Sequence, residues 1–163
     1  MARLSESERF WSYVVKGPAS ADCWIWTGAV ADDGYGRFWT AGTSGKQLTV
    51  RPQRYAYQLA TGLELPSTTM LLHRCDIPLC VHADVDPERS HVRPGTGVDN
   101  MGDRARRGRH ENRHTTLGLR GLARAERARR SRQLRDAFRA HGWDEHALHA
   151  ILNGYDPANP TLW

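Results

Sequence analysis

Between residues 4 and 16, charged and hydroxyl positions interleave with Phe10, Trp11, Tyr13, Val14 and Val15. That spacing predicts a short amphipathic helix capped by Ser5 or Ser7 and ended by Gly17-Pro18. The period then shortens. Cys23-Trp24-Ile25-Trp26-Thr27 and Tyr35-Gly36-Arg37-Phe38-Trp39 predict two strands joined through the turn Asp32-Asp33-Gly34, with Leu48-Thr49-Val50 as a third. Pro52 favours a helix start, and the helix runs from Gln53 to Thr61 before Gly62 closes it. Thr68 to His73 reads as a short strand rich in β-formers.

Residues 74–93 show little periodicity, and a loop of that length needs something to hold it. A helical pattern returns from Asp99 to Gly108. Residues 109–118 are polar, and 111–118 serve as a linker. Leu119 to His141 predicts a long helix with the sparse apolar stripe Leu122, Leu134, Ala137 and Phe138, stopped by Gly142. Asp144 caps a last helix, with Trp143 and Leu148 at the positions of a hydrophobic staple, and Gly154 ends it ahead of an extended tail. Strands and helices mixed in 163 residues predict an α+β domain of ordinary size with a helical extension.

Charge adds a partner to this picture. The chain carries 23 Lys+Arg against 18 Asp+Glu, a formal +5, and only Lys16 and Lys46 are lysines. Residues 101–140 hold 13 Arg and 4 acids, so the remainder of the chain is net −4. A separated basic segment suits a polyanion, because each Arg that neutralises a phosphate releases counterions. A solvated arginine-rich helix is the competing reading. No apolar run approaches the roughly 20 residues of a membrane span, and the charged N-terminus lacks a signal peptide's apolar stretch. A cytoplasmic protein without a membrane partner is expected.

Three cysteines cannot all pair, and in a reducing compartment metal binding or plain core burial remains, with spacing to decide between them. Four residues separate Cys75 from Cys80 in the string Leu72-His73-Arg74-Cys75-Asp76-Ile77-Pro78-Leu79-Cys80. Two such thiols can reach one tetrahedral zinc from opposite sides of a tight loop. Cys23 is the remaining thiol. His91, on the far side of the irregular stretch, completes a Cys₃His set that would use every cysteine and hold residues 74–91. His82, two residues after Cys80, competes for the fourth position.

Five blocks, Cys-Trp-Ile-Trp-Thr-Gly, Gly-Tyr-Gly-Arg-Phe, Arg-Tyr-Ala-Tyr-Gln-Leu, Leu-Leu-His-Arg-Cys-Asp-Ile-Pro-Leu-Cys and Val-Asp-Asn-Met-Gly-Asp-Arg-Ala-Arg-Arg-Gly-Arg, occur in this order. Together they resemble the HNH nucleases of phages and bacteria. They are especially similar to those with a ββα-metal core and a zinc-bound loop, including the His-Cys box homing endonucleases. The resemblance covers residues 8–110 and implies a nuclease domain over 1–110, followed by the linker and a basic helical extension over 119–163. It implies that His73 is the general base and that Cys23, Cys75, Cys80 and His91 bind one structural Zn²⁺ per chain. Asn100 lies nine residues after His91, the family's spacing to its metal-binding asparagine, and so implies a ligand for catalytic Mg²⁺, with Mn²⁺ as substitute. Two features depart from the family. Ten residues, rather than about five, separate Cys80 from His91, and Leu72 stands where many members place an Asp before the base.

The implied activity is metal-dependent hydrolysis of DNA phosphodiester bonds, of restriction, homing or phage type. The residue types suit it. A neutral imidazole can take a proton from water near its ordinary pKa of about 6.5, and an arginine can neutralise the phosphate. Arg37 and Arg54 are the candidates, ahead of Arg51 and Arg74. Arg104, Arg106, Arg107, Arg109, Arg120 and Arg124 are expected to track phosphates of double-stranded DNA. Cutting both strands needs two sites, so a homodimer is expected, formed through apolar residues of the extension from Leu122 to Trp163; the competing reading closes these residues on their own core. The alternatives are a nonspecific nicking nuclease and a zinc-stabilised DNA-binding or phage packaging accessory protein that does not cleave.

Overall fold

Ser5 opens the first helix in the computed structural model, which describes residues 4–42, 45–106, 119 and 122–154. Its hydroxyl accepts the Glu8 amide while the Glu8 carboxylate accepts the Ser5 amide, a reciprocal cap for α1, Glu6–Trp11. The helix expected across 4–16 stops at Trp11. The β-branched pair Val14-Val15 favours extended backbone, and Val14–Lys16 forms β1. It pairs antiparallel with β2, Trp24–Trp26, in the register Val15↔Ile25.

β2 has a backbone partner on its other edge too. The Trp26 amide donates to the Leu79 carbonyl and the Val81 amide to the Trp24 carbonyl, both at 2.8 Å, around an Ile25↔Cys80 bridge. With both edges occupied, β2 cannot form the hairpin expected with residues 35–39. The Asp32-Asp33-Gly34 turn instead closes β3, Ala29–Val30, onto β4, Gly36–Ala41, and β5, Gln47–Val50, pairs with β4 on its far side. Asp33 Oδ1 accepts the Tyr35 amide at 3.0 Å, and Gly34 takes φ +83°, a conformation that side chains with a Cβ resist.

α2, Pro52–Thr61, has the predicted proline start, and Gly62 ends it in a left-handed conformation at φ +71°. β6, Met70–His73, then pairs antiparallel with β7, Val92–Gly95, placing His73 opposite Val92. α3, Gly97–Arg106, follows β7 directly. It begins earlier than Asp99 because Thr96 and Asp99 cap each other: the Thr96 amide reaches Asp99 Oδ2 at 2.7 Å and the Asp99 amide reaches Thr96 Oγ1 at 3.2 Å. The linker over 111–118 and the tail over 155–163 lie outside the described residues.

α4 spans Arg124–His141 and α5 spans Glu145–Leu152, the latter capped by Asp144 as the sequence indicates. The long helix was expected to start at Leu119. That residue is instead fully buried, and its amide donates to the Asp76 carbonyl beyond β6. Phe10, Trp26 and Phe38 meet in ring contacts of 5.2–5.6 Å at the N-terminal end of the core. Leu119, Leu134, Phe138, Leu148, Ile151 and Leu152 belong to the same buried cluster. Leu122, Ala137 and Trp143 pack against it, Trp143 edge-on to Phe138 at 5.4 Å. The apolar side chains expected at a dimer interface are therefore occupied within one chain, apart from Trp163, which lies outside the described residues.

Burial on this scale has a measurable consequence. Phe138→Ala is expected to lower the unfolding free energy by about 3–5 kcal/mol, the usual cost of emptying a buried aromatic site. Urea titration of both proteins would check it, and an effect below about 1 kcal/mol would show that α4 contributes little to the core. Among the described residues, no helix is long and apolar enough to cross a membrane.

Candidate metal centre and adjoining cleft

The residues flanking two hairpins converge on one point. Cys23 lies just before β2, Cys75 just after β6, Cys80 at the bridge to Ile25, and His91 just before β7. Their ligand atoms all lie within 4.8 Å of one another. His91 Nδ1 is 3.4 Å from Cys23 Sγ and 3.5 Å from Cys80 Sγ. A tetrahedral zinc with Zn–S of about 2.3 Å and Zn–N of about 2.0–2.1 Å implies donor–donor edges of about 3.5–3.8 Å. The donor set and its spacing fit a structural metal such as zinc.

The backbone explains why these four meet. Asp76 at φ 57° turns the chain after Cys75, and the Cys80 amide closes the loop onto the Ile77 carbonyl at 3.0 Å. The Arg74 amide donates to the His91 carbonyl at 2.8 Å and the His91 amide to the His82 carbonyl at 2.9 Å, so both ends of the excursion are pinned. The Arg74 guanidinium donates to the Glu88 and Pro87 carbonyls at 2.8 and 3.2 Å, bracing the segment between Cys80 and His91.

Burial and mutual hydrogen bonding raise the thiols of the centre above their ordinary range. The hydrogen bond with Cys75, reinforced by burial and partly offset by a bond with Cys80, pushes the Cys23 thiol far up. Burial, followed by the hydrogen bond with Cys23, does the same to Cys80. Crowded thiols resist ionisation until a dication neutralises the thiolates. Burial, and then the neighbouring His82, lower His91 to about 4, so its imidazole is neutral and able to ligate at physiological pH.

His82 is not one of the four. Its Nδ1 lies 2.6 Å from the Asp22 carbonyl, and its ring stacks on Trp24 at 4.2 Å and leans on His91 at 4.4 Å. It braces the ligand histidine instead, the kind of support that fixes a ligand's orientation.

Next to the cluster is a cleft of about 230 Å³ lined by His73, Asn100, Tyr35, Asp76 and Arg127, with Leu71, Leu72, Met70 and Pro78. His73 is the last residue of β6 and is 7% exposed. Its ring is 6.2 Å from Tyr35. Asn100 sits in the first turns of α3, its amide bonded to the Thr96 carbonyl. Its Oδ1 is buried with no hydrogen-bond donor among the described residues. A buried oxygen without a donor is costly. A cation is one group that would satisfy it.

The two arginines nominated for the phosphate lie elsewhere. Arg54 donates to the carbonyls of Thr69, Leu65 and Pro66 at 2.6–2.9 Å and so holds the segment between α2 and β6. Arg37 donates to the Gly36 carbonyl and lies 3.6 Å from Asp33. Asp33 is partly buried, which raises its pKa, but the Arg51 hydrogen bond, the Tyr35 amide and the two guanidinium charges bring it down to about 2. Of the arginines assigned to DNA, Arg124 is exposed and paired with Asp32 at 2.7 Å. Arg104 and Arg106 belong to α3, but their side chains, like Arg107, Arg109 and Arg120 altogether, lie outside the described residues. Sequence reasoning did not nominate Asp76 or Arg127 for the cleft. Asp76 is next to a proposed ligand, whereas no local signal marks Arg127, which arrives from a helix more than fifty residues later.

The chain is 36% identical over 88 residues to Protein 7.7 of Escherichia phage T7, an alignment covering 54% of this chain and 58% of that protein. It is 34% identical over 90 residues to Protein 2.8 of the same phage, covering 55% of this chain and 54% of that protein. The chain thus spans little more than half the length of these curated relatives. No family model matches it, and no solved structure does.

Proposed function

We propose that this chain is a metal-dependent DNA endonuclease of the HNH type, hydrolysing phosphodiester bonds in the cleft beside its Cys₃His cluster. The observation that carries the reading is the convergence of His73 and Asn100 on that cleft. The β6–β7–α3 order and the cluster that ties residues 74–91 together also support a ββα-metal core with a structural zinc.

In this reading His73 removes the proton of the attacking water, as a neutral imidazole can near pH 7. β-pairing with Val92 fixes its backbone, and the cluster two residues on holds the loop behind it. Asn100 offers a neutral oxygen to Mg²⁺, which when bound supplies a Lewis acid for the scissile phosphate and its leaving oxygen. A neutral ligand leaves the charge of such an ion available to the phosphate. Tyr35, Leu71 and Pro78 also line the cleft.

Incubating supercoiled plasmid with the purified protein tests the proposal. Nicked or linear product is expected with Mg²⁺ or Mn²⁺ and none with EDTA. Duplex binding without any nicking in either metal would instead identify a non-cleaving DNA-binding module.

A further inference from the structure

We propose that Arg127 holds one phosphodiester group of DNA in the His73–Asn100 cleft, so that the C-terminal helix completes the site. The inference rests on the nuclease reading above and assigns the phosphate contact to a residue outside the HNH-like part of the chain.

Three observations converge on it. Arg127 lines the cleft together with His73 and Asn100. Its guanidinium is fixed by backbone: Nε donates to the Asp33 carbonyl at 2.7 Å and Nη1 to the Leu122 carbonyl at 3.3 Å. Neither partner is a carboxylate, so the positive charge is positioned but not neutralised by these bonds. Arg129 and Arg130 on the same helix, by contrast, are both paired with Glu126 at 2.6–2.8 Å. Finally, α4 is seated tightly on the turn that faces the cleft. A Cβ at Gly34 would lie 3.0 Å from Arg127 Cγ and 3.1 Å from its backbone carbonyl. The Arg127 side chain therefore leaves the helix at a defined point beside Tyr35, whose ring centroid is 6.0 Å from its Cζ.

A planar guanidinium held at two nitrogens still presents donors on its remaining edge, a geometry matched to phosphate oxygens. Preorganised charge of this kind stabilises the transition state without reorganisation during reaction. Arg54 and Arg37 do not line the cleft: Arg54 is held by the carbonyls of Thr69, Leu65 and Pro66, and Arg37 lies against the Asp33 carboxylate.

The test compares wild type with Arg127→Gln, which keeps a donor for the Asp33 carbonyl but loses the charge. Binding of a fluorescent DNA duplex is measured across salt concentrations in zinc-loaded protein without chelator or added Mg²⁺, and plasmid cleavage is measured with Mg²⁺. Loss of one phosphate contact should reduce the slope of log affinity against log salt by about 0.9. The cleavage rate should fall by roughly 10²–10³-fold, with a smaller change in KM. An unchanged slope and rate in a folded Arg127→Gln protein would overturn the inference. If that variant does not fold, Arg127→Lys decides the question. Its retained charge should preserve the slope while the lost fork lowers the rate at least tenfold, and a wild-type rate would refute the assignment. Wild-type protein that binds without cleaving would defeat the nuclease reading, yet a reduced slope in the variant would still uphold the phosphate contact. Wild type that does not bind DNA would overturn both.

Discussion

Cys80→Ser will abolish stoichiometric zinc and unfold the chain, whereas the wild-type protein will carry about one Zn²⁺ per molecule by elemental analysis. The size of the effect follows from where Cys80 sits. It is fully buried, its neighbours Leu79 and Val81 bond to β2, and it lies at the bridge to Ile25. A metal held by the cluster would thus join the second edge of β2 to the end of β6 and the start of β7. Binding free energy at a structural zinc site, about 10–16 kcal/mol in small zinc domains, is folding free energy. Domains have net stabilities of only about 5–15 kcal/mol, so losing the site should exceed what the core can sustain. Circular dichroism before and after chelation checks this, and a native spectrum with full melting temperature in metal-free protein would refute a structural role. Cys75→Ser should behave in the same way. His91→Ala should lose the metal whereas His82→Ala should retain it, because only His91 faces the sulfurs.

His73→Ala will reduce DNA cleavage by roughly 10²–10⁴-fold, the span typical of a lost general base, while zinc content and duplex affinity stay close to wild type. The separation arises because a base acts on the transition state and not on the bound substrate. His73 is two residues from Cys75 and mostly buried, so the zinc measurement on the same sample matters. Residual activity above a tenth of wild type with zinc intact would remove His73 from the role. Asn100→Ala should raise the Mg²⁺ concentration needed for cleavage, and an identical titration would count against it as the metal ligand.

Local pattern carried the secondary structure furthest where one residue type sets the backbone. Pro52 and Gly62 bound α2, Ser5 and Asp144 cap their helices, and Gly34 makes its turn, each by chemistry within a few residues. Pattern failed where an element's identity depended on a partner. Val14–Lys16 has the amphipathic look of the helix before it, yet its β-branched residues pair with β2. Cys23–Thr27 reads as a strand and is one, but the alternation of Trp24, Ile25 and Trp26 does not say which strand lies beside it. Its second partner is the irregular segment around Leu79 and Val81, which has no strand signal of its own.

The chemistry divides in the same way. By itself the sequence narrowed the candidate metal ligands: three cysteines at restrictive spacings and two histidines left few combinations, since thiolate and imidazole are scarce and soft-metal chemistry needs four. Its resemblance to the HNH nucleases also nominated His73 and Asn100. Only the tertiary structure decided between His91 and His82, because that choice depends on which ring faces the sulfurs and which stacks on Trp24. Only it decided that the basic C-terminal helix packs into the core and brings Arg127 to the cleft, while Arg54 and Arg37 are bound elsewhere. An arginine's sequence neighbours do not determine what its long side chain reaches. Packing does, because burying Leu134 and Phe138 fixes the face of α4 that meets the turn at Gly34.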